Sequence, residues 1–545
     1  MKHAFLKGSL SLVLVAMLLL TGCVGAVAEA VDPKAPYPET VTLTTFFEIA
    51  APILNTFTPE GLQEIKYTKD IEAATNVKLE YLWYAADNAD DAEQKKNTAI
   101  ASGDIPDFML VSSAQLSLLA KSDLINKDLQ PVFDAYACDL LKAWTYAEGT
   151  AAMGSATYKG KLVAIPLVDS SIDSAPFLWI RKDWLDKLGL SVPKTTDELY
   201  ATMKAFAEAD FDGNGKADTA GLSLHKNFLS MATSDAVGLF NGFDAYPGKW
   251  IDDGNGGLMY GSVAPNIKDA LAFLAKAYAE GLIETDFSVK DDTKTTELIA
   301  SGATGIQYGA MWNAIWPLSM TGMNDPAADW IACPIPGTDA HPQIALRVAD
   351  YVVINAECEH PEAVIKLLNF WCETTGASTP EAYAEYLVDD GTGLMTFPQH
   401  DIMLKTWSPL RNLDAYYHIK DVLAKNDPST LNAEEMVSYN DIVAFRNGDG
   451  SKVGPAKTFG PEGSAFEVMD YYYTNNRFMM DKFTGAQTKT MASKMSICED
   501  KVIEYYTKVI MGVESLDNFD AFVKEVNDLG LADITAEVNE WYQSR

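Results

Sequence analysis

At 545 residues, 48% apolar and 11% aromatic, the chain can bury a large core and must divide it among more than one domain. A formal charge of −34 argues against nucleic acid or an anionic lipid surface as partner and suits an exported protein. The six histidines form no HExxH or comparable pair and the five cysteines beyond Cys23 have no CxxC spacing, so a zinc centre has no support and complete disulfide pairing is impossible.

Lys2 and Lys7 flank the start of the chain, and the apolar run LSLVLVAMLLL that follows is too short and wrongly bordered to span a bilayer. Leu20, Thr21, Gly22 and Cys23 resemble the bacterial lipobox, which implies cleavage before Cys23 and diacylglycerol on its sulfur. A plain secretory signal ending in a cysteine is the alternative. Residues 1–23 are therefore read as a lipoprotein signal peptide and 24–38 as a tether. No later stretch is apolar and long enough to cross a membrane, so the lipid is the only anchor expected.

ETVTLTTFFEIA alternates as a first buried strand, and GLQEIKYTKDIEAATNVKLEYLWYAA reads as a helix returning to a second. AEQKKNTAIASGDIPDFMLVSS repeats the order, with Gly103 and Pro106 as punctuation. Residues 174–206 predict a strand, a short helix ended at Gly189, a turn at Pro193, and a helix capped by Thr195 or Thr196. This alternation argues for an α/β sheet.

The next stretch, DFDGNGKADTAG at 210–221, places Asp210, Asp212, Asn214 and Asp218 at the first, third, fifth and ninth positions of an EF-hand, with Gly215 at the sixth. Lys216 stands at the seventh, where the ligand is a backbone carbonyl. Calcium suits such a set of oxygens, although an ordinary solvated turn uses the same residue types. The closing bidentate Glu is missing, since Gly221 holds position twelve, and LSLH beyond it alternates like a strand. The loop reads as a structural clip between helix and strand. KWIDDGNGGLMYGSV then predicts a hairpin, and NIKDALAFLAKAYAEGL a helix stopped at Gly281.

Several motifs resemble the extracellular solute-binding proteins of ATP-driven importers, in particular the long lipoprotein type of Gram-positive bacteria that binds sugars and oligosaccharides. They are ASGDIPDFML at 101–110, YKGKLVAIPL at 158–167, LWIRKDWLDKLGLSVPKTTDELY at 178–200, AYAEGLIETDF at 277–287 and HPEAVIKLLNFW at 360–371. VIMGVESLDNFDAFVKEVNDLG and EVNEWY near the end are similar too. The resemblance implies a periplasmic-binding-protein-like α/β fold, two lobes with interleaved crossings and a ligand cleft. Lobe 1 would hold 39–166 and, on return, 307–346. Lobe 2 would hold 167–306 and, with a C-terminal helical region, 347–545. The crossings would fall near 164–168, 303–308 and 346–351. It further implies a monomer on the outer face of a Gram-positive-type membrane, delivering solute to the permease subunits of an ABC transporter.

A sugar has apolar ring faces and a rim of hydroxyls, so its site needs aromatic platforms beside carboxylates, amides or arginine, placed beyond strand ends. Ser112, Ser113, Asp169 and Ser170 follow strands, and Trp312, Asn313 and Trp316 follow the crossing TGIQYGA, where the family resemblance puts a stacking tryptophan. Arg347, Asp350, Trp83 and Tyr84 complete the candidates. Trp179, Trp184, Trp371 and Trp541 sit within element patterns and are read as core; Asp104 and Asp107 are read as organising their own backbone. A secreted, calcium-stabilised glycoside hydrolase would need two paired carboxylates and favours an eight-unit barrel, whereas the two-lobe pattern favours a binder without catalytic residues. A solute-binding sensor or adhesin accessory is the third possibility.

Overall fold

The computed structural model describes residues 35–49, 64–86, 90–211, 219–386, 404–485 and 487–543, together with Asp32, Gly61 and Gly215. Cys23 and the signal segment lie outside the described residues, and so does most of the tether.

The first strand, Val41–Ile49, buries every second residue from Val41 to Phe47 and pairs in parallel with Val77–Ala86. Between them runs helix Lys66–Thr75, stopped where Asn76 turns left-handed. Helix Asp90–Ser102 then leads through Gly103 to strand Phe108–Val111. Asp107 locks that strand beside the first: its carboxylate accepts the backbone N–H and the hydroxyl of Thr44, both at 2.7 Å. The carboxylate thus serves Thr44 on the neighbouring strand and not, as expected, its own backbone.

Phe108–Val111 and Ile165–Val168 flank Val348–Ile354, antiparallel to both. Their apolar core draws on residues from Val41 to Val168 and from Tyr351 to Leu404, with Trp371 fully buried. A second sheet runs in the order Trp330–Cys333, Phe177–Arg181, Ile306–Gly309, Thr233–Asp235. Its core draws on residues from Leu178 to Ile335 and returns at Met491 to Val538, with a neighbouring cluster from Ile172 to Tyr472. The sequence signals around this sheet hold well. Gly189 ends helix Lys182–Leu188 at φ 66°, and Thr195 caps helix Thr196–Glu208 in a capping box with Glu198. Trp250–Asp252 and Leu258–Tyr260 form the hairpin. Gly305 is needed for close approach, because a Cβ there would stand 2.3 Å from the ring of buried Trp184.

Three sequence expectations are corrected. Residues 307–346 do not return to the first lobe: Ile306–Gly309 pairs with Phe177–Arg181 and Thr233–Asp235, and Trp330–Cys333 pairs with Phe177–Arg181. The chain therefore does not cross near 303–308; the strand there is a buried interior member of the second sheet. Residues 348–386 and 404–407, assigned to lobe 2, pack with the first core, and the strand expected at LSLH is reduced to two isolated bridges, Ala220 to Thr304 and Leu222 to Ile283. Short apolar strands carry no mark of which sheet they join, and pairing partners far apart in sequence decide it.

One buried acid sits in the second sheet. Asp235 is fully buried; Oδ1 accepts the Val237 N–H at 2.8 Å, while Oδ2 has no close hydrogen-bond partner among the described residues. Burial pushes its carboxyl up to about 7. The folded chain thus keeps a proton that the unfolded chain releases near pH ~4, so this stability is whole below about pH 4 and is lost as pH rises to about 7. Asp235→Asn is expected to stabilise the protein at pH 8, on the order of 3 kcal/mol, and hardly at all at pH 4. Denaturant titrations at both pH values check it; equal differences at the two would refute it.

Candidate functional site

Strand directions bring several scattered residues to one edge. Phe108–Val111 and Ile165–Val168 both run antiparallel to Val348–Ile354, so Ser112, Ser113, Asp169 and Ser170 follow carboxyl ends at the same rim where Val348–Ile354 begins. Arg347 and Asp350 lie at that rim as well. The parallel strands end there too, since the Asp350 carboxyl senses Glu48 and Lys96. Burial pushes Asp350 up to about 6 against the pull of Lys96. Lys96 is itself buried and bridges Glu48 at 2.9 Å. Trp83 stacks on Phe46 at 4.6 Å, with the Lys95 ammonium 5.3 Å from its ring, and Tyr84 meets Phe47 edge-on.

Ser112 is exposed, but its hydroxyl caps helix Ser113–Leu119 by accepting the Gln115 N–H, so it serves the helix first. One turn on, the Ser117 hydroxyl donates to the Gln487 carbonyl of the second lobe at 3.0 Å.

Three segments join the lobes side by side. The Asp169 N–H donates to the Arg347 carbonyl at 3.1 Å, the Arg347 N–H to the Ser171 hydroxyl oxygen at 2.9 Å, and the Ala345 N–H to that of Ser174 at 3.0 Å. The third segment, absent from the sequence reading, is anchored at Thr406 and Trp407. The Thr406 hydroxyl oxygen accepts the Val168 N–H at 3.0 Å, the Trp407 N–H donates to the Val168 carbonyl at 3.0 Å, and the Trp371 indole donates to the Thr406 carbonyl at 2.6 Å. Arg411 lies 4.3 Å over the Trp407 ring.

Carboxyls gather at this junction. The Ser171 hydroxyl donates to Glu148 at 2.6 Å, and the Asn412 amide to Asp173 at 2.6 Å. Burial raises both acids, Asp173 to about 6, with the Asn412 bond pulling the other way. Arg347, more than half exposed, stands 3.9 Å from Asp169. Glu148 Oε1 is buried without a hydrogen-bond partner among the described residues, and the buried Ser170 hydroxyl pulls the Asp173 carboxyl down. Glu148, Asp173, Ser171, Trp407, Arg411 and Asn412 were missed, because no spacing rule marks a hinge; the run KTWSPLRN, an aromatic and two cations around a proline, is the signal that was available.

On the second lobe, Gly309 pairs with Phe177 just past the junction, so the turn Met311–Ala314 emerges on the side facing the first lobe. Trp312 and Trp316 lie nearly parallel, 6.2 Å apart and tilted by 16°, and Trp316 is 43% exposed. Asn313 is corrected: it is fully buried, its amide donating to the Ala232 carbonyl at 3.0 Å and accepting from Gln307 at 3.2 Å, so it builds the turn and offers nothing to solvent. Of the acidic loop, Asp210 and Gly215 are described; the Gly215 N–H donates to Asp210 Oδ2 at 2.9 Å, with Gly215 at φ 81°. Asp212, Asn214, Lys216 and Asp218 lie outside the described residues.

Among the described residues, two α/β bodies are joined by three short segments, with the aromatic pair Trp312 and Trp316 at the junction. Residues 57–376 match the family of bacterial extracellular solute-binding proteins, and the chain belongs to that family. The polygalacturonan/rhamnogalacturonan-binding protein YtcQ of Bacillus subtilis is 31% identical over 255 residues, 45% of this chain and 47% of YtcQ. The chain thus spans about half the length of the curated relatives it matches. Among solved structures, an HMO-binding, ABC-transporter-associated solute-binding protein from Bifidobacterium longum infantis gives a TM-score of 0.61 at 19% identity, covering 93% of this chain and 99% of the other. The Streptococcus pneumoniae substrate-binding protein FusA, an EF-hand mutant in complex with fructo-nystose, gives 0.56 at 20% identity, covering 92% and 99%. These likenesses establish the solute-binding-protein fold.

Proposed function

We propose that the chain is the lipid-anchored, extracellular substrate-binding component of an ABC importer, which captures an oligosaccharide in its cleft and delivers it to a membrane permease as a monomer. The stacked pair Trp312 and Trp316 at the junction carries the reading: it offers sugar faces a platform, while Asp169, Ser170, Ser113, Trp83, Tyr84, Arg347 and Asp350 line the facing rim and the junction. YtcQ, the HMO-binding protein and the FusA complex with fructo-nystose support the ligand class. The lipobox at Cys23 supports the anchor. Closure is a population shift, driven by contacts that exist only when both lobes touch solute. A thermal-shift screen of residues 24–545 against neutral and acidic oligosaccharides, monosaccharides and short peptides tests it. A ligand at a hundredfold its Kd adds about 2.7 kcal/mol. A rise with peptides alone would overturn the sugar class, and new reducing ends would replace the receptor with a hydrolase.

Calcium belongs to the same proposal. The Asp210 carboxylate turned onto the N–H of left-handed Gly215 fits a loop whose oxygens fold inward, and the FusA structure is that of an EF-hand mutant. Asp210, Asp212, Asn214, Asp218 and the Lys216 carbonyl would hold the ion, which would stiffen the second lobe. EGTA is expected to lower the melting temperature by several degrees, Asp210→Ala to erase that difference, and sugar affinity to stay constant. Identical melting of parent protein with and without EGTA would remove the metal.

A further inference from the structure

The second lobe contains a cavity of about 320 Å³ that no motif announced. Leu229, Pro247, Tyr260, Val502 and Ile503 give it an apolar wall. That wall is rigid: the Gly248 N–H donates to the Ser262 hydroxyl oxygen at 2.8 Å, and the Tyr506 hydroxyl donates to the Ser262 carbonyl at 2.6 Å. Three exposed polar side chains stand at its rim, Asn227, Ser230 and Glu499, and none makes a side-chain hydrogen bond or ion pair among the described residues. Partial burial raises the Glu499 carboxyl.

Its position ties it to the cleft. Ser230 stands two residues before Ala232, whose carbonyl accepts both the Ala310 N–H at 3.2 Å and the Asn313 amide at 3.0 Å. Thr233 pairs with Gly309, so Ser230 stands at the same sheet edge as the turn that carries Trp312 and Trp316. An apolar wall beside three idle hydrogen-bonding groups matches one sugar ring, with its face on the aliphatics and its hydroxyls on the amide, the hydroxyl and the carboxylate.

We propose that this cavity is an end pocket of the cleft, taking one terminal sugar unit of an oligosaccharide whose inner units lie on the tryptophan pair. It rests on the carbohydrate reading above and adds a preference for chain length. Ser230→Trp fills the cavity from its exposed rim, and Glu499→Gln removes the charge without changing shape. Calorimetry on parent and variants uses three ladders: fructose, sucrose, kestose and nystose; glucose to maltotetraose; galacturonic acid to its tetramer. In the ladder that binds, the parent gains about tenfold in affinity from two units to four, as the idle groups acquire partners. Ser230→Trp removes that gain and leaves two-unit affinity unchanged, and Glu499→Gln reduces it in part. A length gain that survives both variants, or affinity independent of length in the parent, overturns the end pocket. Silence from all three ladders overturns the carbohydrate reading beneath it.

Discussion

Replacing Trp312 with alanine is expected to weaken oligosaccharide binding about 30-fold, roughly 2 kcal/mol, while moving the melting temperature by less than about 2 °C. The expectation rests on where the ring sits. Trp312 is partly exposed on a short turn beyond the sheet edge, nearly parallel to Trp316 at 6.2 Å, and it belongs to none of the buried clusters. Truncation therefore removes platform area without opening a core cavity. Calorimetry against the best ligand of the screen decides it, with a melt on the same sample. Unchanged affinity would take the pair out of the site, and a large fall in melting temperature would make Trp312 a packing residue.

Arg181→Ala is expected to cost about 3–5 kcal/mol and to lower the melting temperature by about 3–4 °C. The guanidinium is buried, with its side chain 3% exposed, and grips Asp183 through two bonds of 2.7 Å. It also lies 4.6 Å over Trp184. Removal leaves the Asp183 carboxylate without its cation in a poorly hydrated place, and Asp183 also accepts the Asp329 N–H at 3.1 Å, so the damage reaches the neighbouring strand. Arg181→Lys restores the charge but not the fork, so it should recover only part of the loss. Melting of the alanine variant within about 2 °C of the parent would refute the argument.

The local vocabulary of this fold is plain in the sequence. Gly189, Thr195 with Glu198, and the hairpin glycines each solve a backbone problem within a few residues, so they act alike wherever the lobe lies. The core tryptophans read equally well, Trp179, Trp184 and Trp371 being buried as their patterns require. What failed was long range. Ile306–Gly309 pairs with a strand more than a hundred residues earlier, and nothing within IQYG states which sheet will claim it. The third junction segment failed for the same reason, because Thr406 gains its meaning from Val168. Asn313 shows the limit at the site itself: Trp312 just before it and Trp316 three residues after it reach toward solvent, while the tight turn sends Asn313 inward to Ala232.

The bond from Ser117 to Gln487 ties the helix after strand Phe108–Val111 to the second lobe, apart from the three junction segments. One such bond is worth about 1 kcal/mol, enough to multiply the population that keeps it about fivefold. In the proposed receptor, affinity is then set in part by a bond outside the residues assigned to solute. Substitution at position 117 would act as a gain control, changing the solute concentration at which uptake begins while leaving untouched the choice of which solute is taken.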